Sequence, residues 1–159
     1  MKTILIFVTF LSLLLIFLQD WKYRRIHILL PLVLFGLSLQ LIALPLSLKL
    51  KVIGINSVFF GLTFGLMVGY MSLKNKKLNN PFQNYFGLGD FLFYLAIAPF
   101  FELKNYIIYF AASMLFAIVL QHFLVKNDNS IPLAGFSALL LGAIIASDLL
   151  FNFYKLTLI

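Results

Sequence analysis

Two acids stand out in a chain that has few. Asp20 ends the first apolar run, and Asp90 closes Gly87-Leu88-Gly89-Asp90 inside another. The 159 residues include five Asp and Glu, and these two fall where a carboxylate is costly. An ionisable group at or below a bilayer surface is expensive enough that its presence points to function. Two carboxylates that meet offer a definite chemistry. Like charges a few ångströms apart resist ionising together, so the pair shares a proton. The ionised member then takes a proton from water, while the protonated member polarises a carbonyl. Such a pair hydrolyses a peptide bond.

Each acid also has a plainer reading. Asp90 at a helix start would interact with the helix dipole. Asp20, in Asp20-Trp21-Lys22-Tyr23-Arg24-Arg25-Ile26, would be a charged boundary residue paired with Arg24. Gly87 and Gly89 remove side chains beside Asp90, which admits either an extended substrate backbone or a closely packed helix. Arg24 and Arg25 anchor a helix end at lipid headgroups or position Asp20.

The elements that must place these residues follow from composition. The chain is 63% hydrophobic and only 11% charged, against roughly a quarter charged in soluble domains. Its mean hydropathy is +1.06. An integral membrane protein in contact with lipid follows. The net charge of +7 arises from Lys and Arg in short connectors, the pattern of loops beside a membrane. It is not the aromatic-interleaved basic surface of a nucleic-acid binder. The absence of cysteine excludes disulfides, thiolate metal sites and cysteine nucleophiles. His27 and His122 stand apart, so no metal site and no cofactor is expected, and both read as interfacial or packed.

About 20 apolar residues span a bilayer, and six segments qualify: Thr3–Gln19, Ile26–Leu46, Val52–Leu73, Phe82–Leu103, Asn105–Val125 and Ile131–Tyr154. The expectation is an all-α, polytopic membrane helix bundle of about six transmembrane helices, forming a single domain over 1–159. The first segment is too long for a signal-peptide core and lacks a small-x-small cleavage site, so it reads as a transmembrane helix. With both termini outside, Lys22, Arg24, Arg25, Lys74, Lys76, Lys77 and Lys126 lie inside, and Lys2, Lys49, Lys51, Lys104 and Lys155 outside. The bias favours this orientation. Two crossings then separate Asp20 from Asp90, which puts both on the inner side.

Asp90 should sit about a third of the way into a segment starting near Phe82, slightly below the surface. Pro99 should kink that helix. Gly61, Gly65 and Gly69 at four-residue spacing predict tight packing on a neighbouring helix. Asp148 reads as an interfacial acid or one paired within the bundle. Glu102 and Asp128 read as solvated connector residues.

Together the motifs resemble a known family. Asp20 followed by Arg24-Arg25-Ile26, then Gly87-Leu88-Gly89-Asp90, looks like the type IV prepilin peptidases, aspartic peptidases of the bacterial inner membrane of the Gly-x-Gly-Asp type. Ile131-Pro132-Leu133-Ala134-Gly135-Phe136-Ser137-Ala138-Leu139 resembles the segment that opens the family's last helix. The resemblance implies Asp20 and Asp90 as catalytic pair. It also implies removal of a basic leader from pilin-like precursors at the cytoplasmic membrane face. Two neighbours differ from the family pattern: His27-Ile28 replaces Pro-Asn, and Phe91-Leu92 replaces Val-Lys. Without the cysteine-rich insertion of the larger bifunctional members, the chain resembles the short, peptidase-only form, and no methyltransferase activity is expected.

Two other functions compete. One is an intramembrane aspartic peptidase with a different substrate. The other is a non-enzymatic scaffold or transport subunit, which would need further polar side chains at membrane depth, and the sequence suggests almost none. The oligomeric state is not legible.

Overall fold

The computed structural model describes residues 1–76, 86–124, 131–151 and 156–159. The connector beyond Lys76, the expected segment start at Phe82, and Val125, Lys126, Asp128, Tyr154 and Lys155 lie outside the described residues.

Among the described residues, six helices run in the order α1 (Lys2–Tyr23), α2 (Leu29–Leu41), α3 (Leu46–Asn75), α4 (Leu88–Ile97), α5 (Leu103–Leu124) and α6 (Leu133–Phe151), with a 3-10 turn (Ala98–Phe100) after α4. No strand occurs among the described residues. The fold is an all-α membrane helix bundle.

Helices α1, α3, α5 and α6 are long and apolar enough to cross a membrane, whereas α2 and α4 with its turn are short. The expected number of apolar helices is present among the described residues, and two of them are shorter than the sequence segments suggested. At about 1.5 Å per residue, the 13 residues of α2 fall short of a roughly 30 Å hydrocarbon core. The breaks have local causes. Proline disfavours helix at the residue before it, and the chain is already extended at Ile42, three residues ahead of Pro45. Helix α3 therefore begins directly after Pro45, and Lys49 and Lys51 lie on it rather than in a connector. The Lys49 ammonium donates to the Leu39 carbonyl at 2.7 Å, satisfying a carbonyl that the end of α2 leaves open.

Pro99 ends α4 instead of kinking it. The freed carbonyls are claimed by the fully buried Asn56 of α3, whose Nδ2 donates to Ala98 O and Phe101 O at 2.7 Å each. The Leu158 amide takes Phe100 O at 2.7 Å. In an apolar interior such groups must find partners within the protein.

Helix α6 packs along α1 and α5, α2 bridges α1 and α4, and α3 meets the bundle at the 3-10 turn and α5. The α3 contact is aromatic: the Phe60 ring lies 5.3 Å from Phe91, 5.5 Å from Tyr94 and 5.9 Å from Phe110. Phe60 and Phe64 thus turn inward. A side-chain carbon at Gly61, Gly65 or Gly69 would meet nothing within 4 Å. The expected glycine packing is not formed, because the phenylalanine face of α3 occupies the bundle contact.

Asp148 is buried and paired with the C-terminal residues. Its carboxylate accepts from the amides of Leu156 (3.2 Å) and Thr157 (2.7 Å) and from Thr157 Oγ1 (2.6 Å). Glu102 is exposed.

Candidate active site

Asp20 lies on the last turn of α1 and is buried. Asp90 is half-buried on the first turn of α4, nearer its helix start than the sequence suggested, because α4 begins at Leu88. Its Oδ2 accepts from the Gly87 amide at 3.1 Å, so the helix-start reading of this acid is met. The same residue also reaches beyond its own helix.

The first turn of α6 joins the two acids. The Ala134 amide donates to Asp90 Oδ1 at 2.7 Å, and the next amide, Gly135, donates to Asp20 Oδ2 at 2.7 Å. The first amides of any helix lack intrahelical acceptors and carry the positive end of its dipole, so they suit carboxylates. Adjacent amide nitrogens are three bonds apart, which holds the two carboxylate oxygens within about 9 Å of one another. The two groups interact electrostatically.

Three glycines allow this approach. A side-chain carbon on Gly135 would stand 3.1 Å from Asp20 Cβ and 3.2 Å from Oδ2. On Gly89 it would meet Ile26 Cβ and Cδ1 at 3.1 Å, and on Gly87 it would reach Asp90 Oδ2 at 2.8 Å. Gly87 and Gly89, chosen from the motif, therefore sit where their lack of a side chain matters.

Arg24 adopts the left-handed conformation (φ 53°) that ends α1, and its amide donates to Asp20 O at 3.0 Å. Its charge lies close enough to act on the Asp20 carboxylate. Arg25 is exposed. Trp21 packs edge-on against Phe136 of α6 at 5.5 Å. The two departures from the family pattern have structural roles. The His27 amide donates to Gln19 Oε1 at 3.0 Å, and its Nδ1 accepts from Leu29 at 3.4 Å, so this residue builds the turn itself. Phe91 packs on Phe60 and Phe64 of α3.

Sequence reasoning noted the segment 131–139 but not that its main-chain amides grip the carboxylates; the hint was Pro132 ahead of a small-residue pair at a helix start. It also missed a buried hydroxyl cluster. Tyr94 Oη lies 2.8 Å from Ser113 Oγ and 3.0 Å from Ser137 Oγ. Tyr106 and Tyr109 donate to the carbonyls of Tyr94 and Ser137. The expectation of almost no polar side chains inside the bundle is thereby corrected. Among the described residues no group of three or more His, Asp or Glu could hold a metal ion.

A bundle of long apolar helices with a carboxylate pair at one end defines a multi-pass membrane protein with a candidate hydrolytic centre. The model of the type IV leader peptidase family matches residues 7–122. The chain belongs to that family. The match includes Asp20 and Gly87 to Asp90 and stops short of α6. No curated protein and no solved structure matches the chain. At family level the chain is a peptidase acting on a protein substrate.

Proposed function

We propose that residues 1–159 form one peptidase domain of the aspartic type, with Asp20 and Asp90 as its catalytic pair. The substrates are pilin-like precursors, cut at the end of a basic leader where the hydrophobic segment begins. The single observation that carries the reading is the pairing of adjacent α6 amides with the two carboxylates. That arrangement keeps two acids at one end of the bundle, where a water between them would be activated by the ionised partner and a scissile carbonyl polarised by the protonated one.

The cationic residues at this end, Lys22, Arg24, Arg25, Lys74 and Lys76, support a cytoplasmic orientation in a bacterial inner membrane. Gly87 and Gly89 serve the site by letting the Asp90 carboxylate fold back on the Gly87 amide and Ile26 pack against the first turn of α4, and Arg24 by its position over the end of α1. Arg25 anchors the same end at lipid headgroups. The reaction needs no cofactor and no metal, and the mature product stays unmethylated.

The hydroxyl cluster around Tyr94 removes one argument against a transport function. The family favours peptide hydrolysis all the same. Co-expression with a pilin-like precursor, followed by mass spectrometry of its new N-terminus, separates the two. The peptidase reading expects a shortened product with a free, unmethylated amine. An intact precursor, with the enzyme accumulating in the membrane, overturns it. Because the chain has no cysteine, single cysteines at Arg25 and Leu44 report orientation by impermeant labelling.

A further inference from the structure

Tyr94 is fully buried, one helical turn after Asp90 on α4. Ser137, also fully buried, is one turn after Ala134 on α6. The two helices that meet through Asp90 and Ala134 therefore meet again through Tyr94 and Ser137, about one turn, roughly 5 Å, further along. Ser113 of α5 joins the second contact.

The hydrogens of this cluster can be assigned by counting. Each of Tyr94, Ser113 and Ser137 has one hydroxyl proton. Ser113 Oγ reaches the Phe110 carbonyl at 3.0 Å. If Ser113 donates there, Tyr94 donates to Ser113, and Ser137 donates to Tyr94. Every proton is then used, and the chain runs from α6 through α4 to α5. Burial in an apolar interior makes a broken link costly, because no water replaces it.

We infer that Tyr94 is a positioning residue for the hydrolytic reaction: with Ser137 it locks α4 to α6, so that the adjacent α6 amides stay aligned on Asp90 and Asp20. The inference rests on the aspartic peptidase reading. During a cycle in which the acids exchange protons, their bonds to the amides must change in strength, since an amide favours the charged carboxylate. The first contact is thus variable by the nature of the chemistry. The second is made by groups that keep their protons, and it holds the register while the first one changes. The ring of Tyr94 is packed independently of its hydroxyl, at 5.0 Å from Phe110 and 5.5 Å from Phe60, so the hydroxyl can be removed without emptying the core.

The test uses the full chain purified in lipid nanodiscs, with a synthetic peptide of basic leader and apolar segment as substrate. Tyr94→Phe and Ser137→Ala are each expected to lower kcat about tenfold, with KM within about twofold of the parent, as misalignment of reacting groups does. The double variant should be no slower than Tyr94→Phe, since both remove the same link. A merely structural role would instead lower yield and Tm while leaving kcat per folded molecule unchanged, and that result overturns the inference. If Tyr94→Phe does not accumulate, Ser137→Ala and Ser113→Ala decide the matter: parental kcat in both overturns it, and reduced kcat at unchanged KM supports it. Asp20→Asn and Asp90→Asn run in the same assay. Activity in either of those contradicts the peptidase reading itself, whereas two inactive Asn variants beside a fully active Tyr94→Phe contradict only the positioning role.

Discussion

The Gly135 amide donates to Asp20 Oδ2 at 2.7 Å across 115 positions of chain, and a methyl group on Gly135 would sit 3.1 Å from Asp20 Cβ. The close approach and the hydrogen bond are the same fact seen from two sides. Gly135→Ala should push α6 off Asp20, lower peptidase kcat by about 10- to 100-fold and destabilise by about 1–3 kcal/mol. Gly142→Ala is the control on the same helix, since its added carbon would meet Phe10 only at 3.8 Å, ordinary contact. Steady-state kinetics and thermal unfolding of both variants check the contrast.

Gly89 and Ile26 form a second such pair. An added carbon on Gly89 meets Ile26 at Cβ, Cδ1 and Cγ1, all within 3.3 Å. Gly89→Ala should impair cleavage by displacing the turn that follows α1. Ile26→Ala removes two of the three offending atoms, so the double variant should recover part of the activity lost by Gly89→Ala. Specific activities of the two singles and the double give the coupling directly.

Asp148 separates structural from catalytic acids. It too accepts from main-chain amides, but from those of Leu156 and Thr157, which follow α6 in the chain. Asp148→Ala leaves these donors without their acceptor and should cost about 1–3 kcal/mol of stability. Cleavage rate per folded molecule should stay at the parental value, measured alongside Tm.

The glycine row of α3 should behave unlike the site glycines. Gly61, Gly65 and Gly69 face open space, and glycine within a helix costs roughly 0.5–1 kcal/mol relative to alanine. Replacing all three by alanine should leave cleavage unchanged and not lower Tm. A loss of activity would show that this face is engaged during function.

These contrasts show what was legible in the sequence. Asp20 and Asp90 were visible because carboxylates are rare in so apolar a chain, and the all-α bundle because apolar runs of spanning length are hard to hide. Helix ends were less legible. The second and fourth segments read as continuous apolar stretches, and only the local effects of Pro45, Gly87 and Pro99 shortened them. The α6 amides were invisible for a different reason: a main-chain donor carries no residue identity, so Ala134 could not be singled out. Tyr94, Ser113 and Ser137 lie on three helices, and only their assembly reveals a cluster. The glycine row misled because spacing shows which residues share a face, not whether that face has a neighbour.

The central claim is that Asp20 and Asp90 act together on a peptide bond. It is tested most directly by cleavage of a pilin-like precursor by the parent chain, Asp20→Asn and Asp90→Asn, each reconstituted at equal amount, with the products read by mass spectrometry. The account predicts a single new N-terminus at the end of the basic leader for the parent. It predicts a rate lowered by at least about 1,000-fold for each variant, as expected when one member of a coupled catalytic unit is lost, with folding unchanged. Parental cleavage by either folded variant would contradict it.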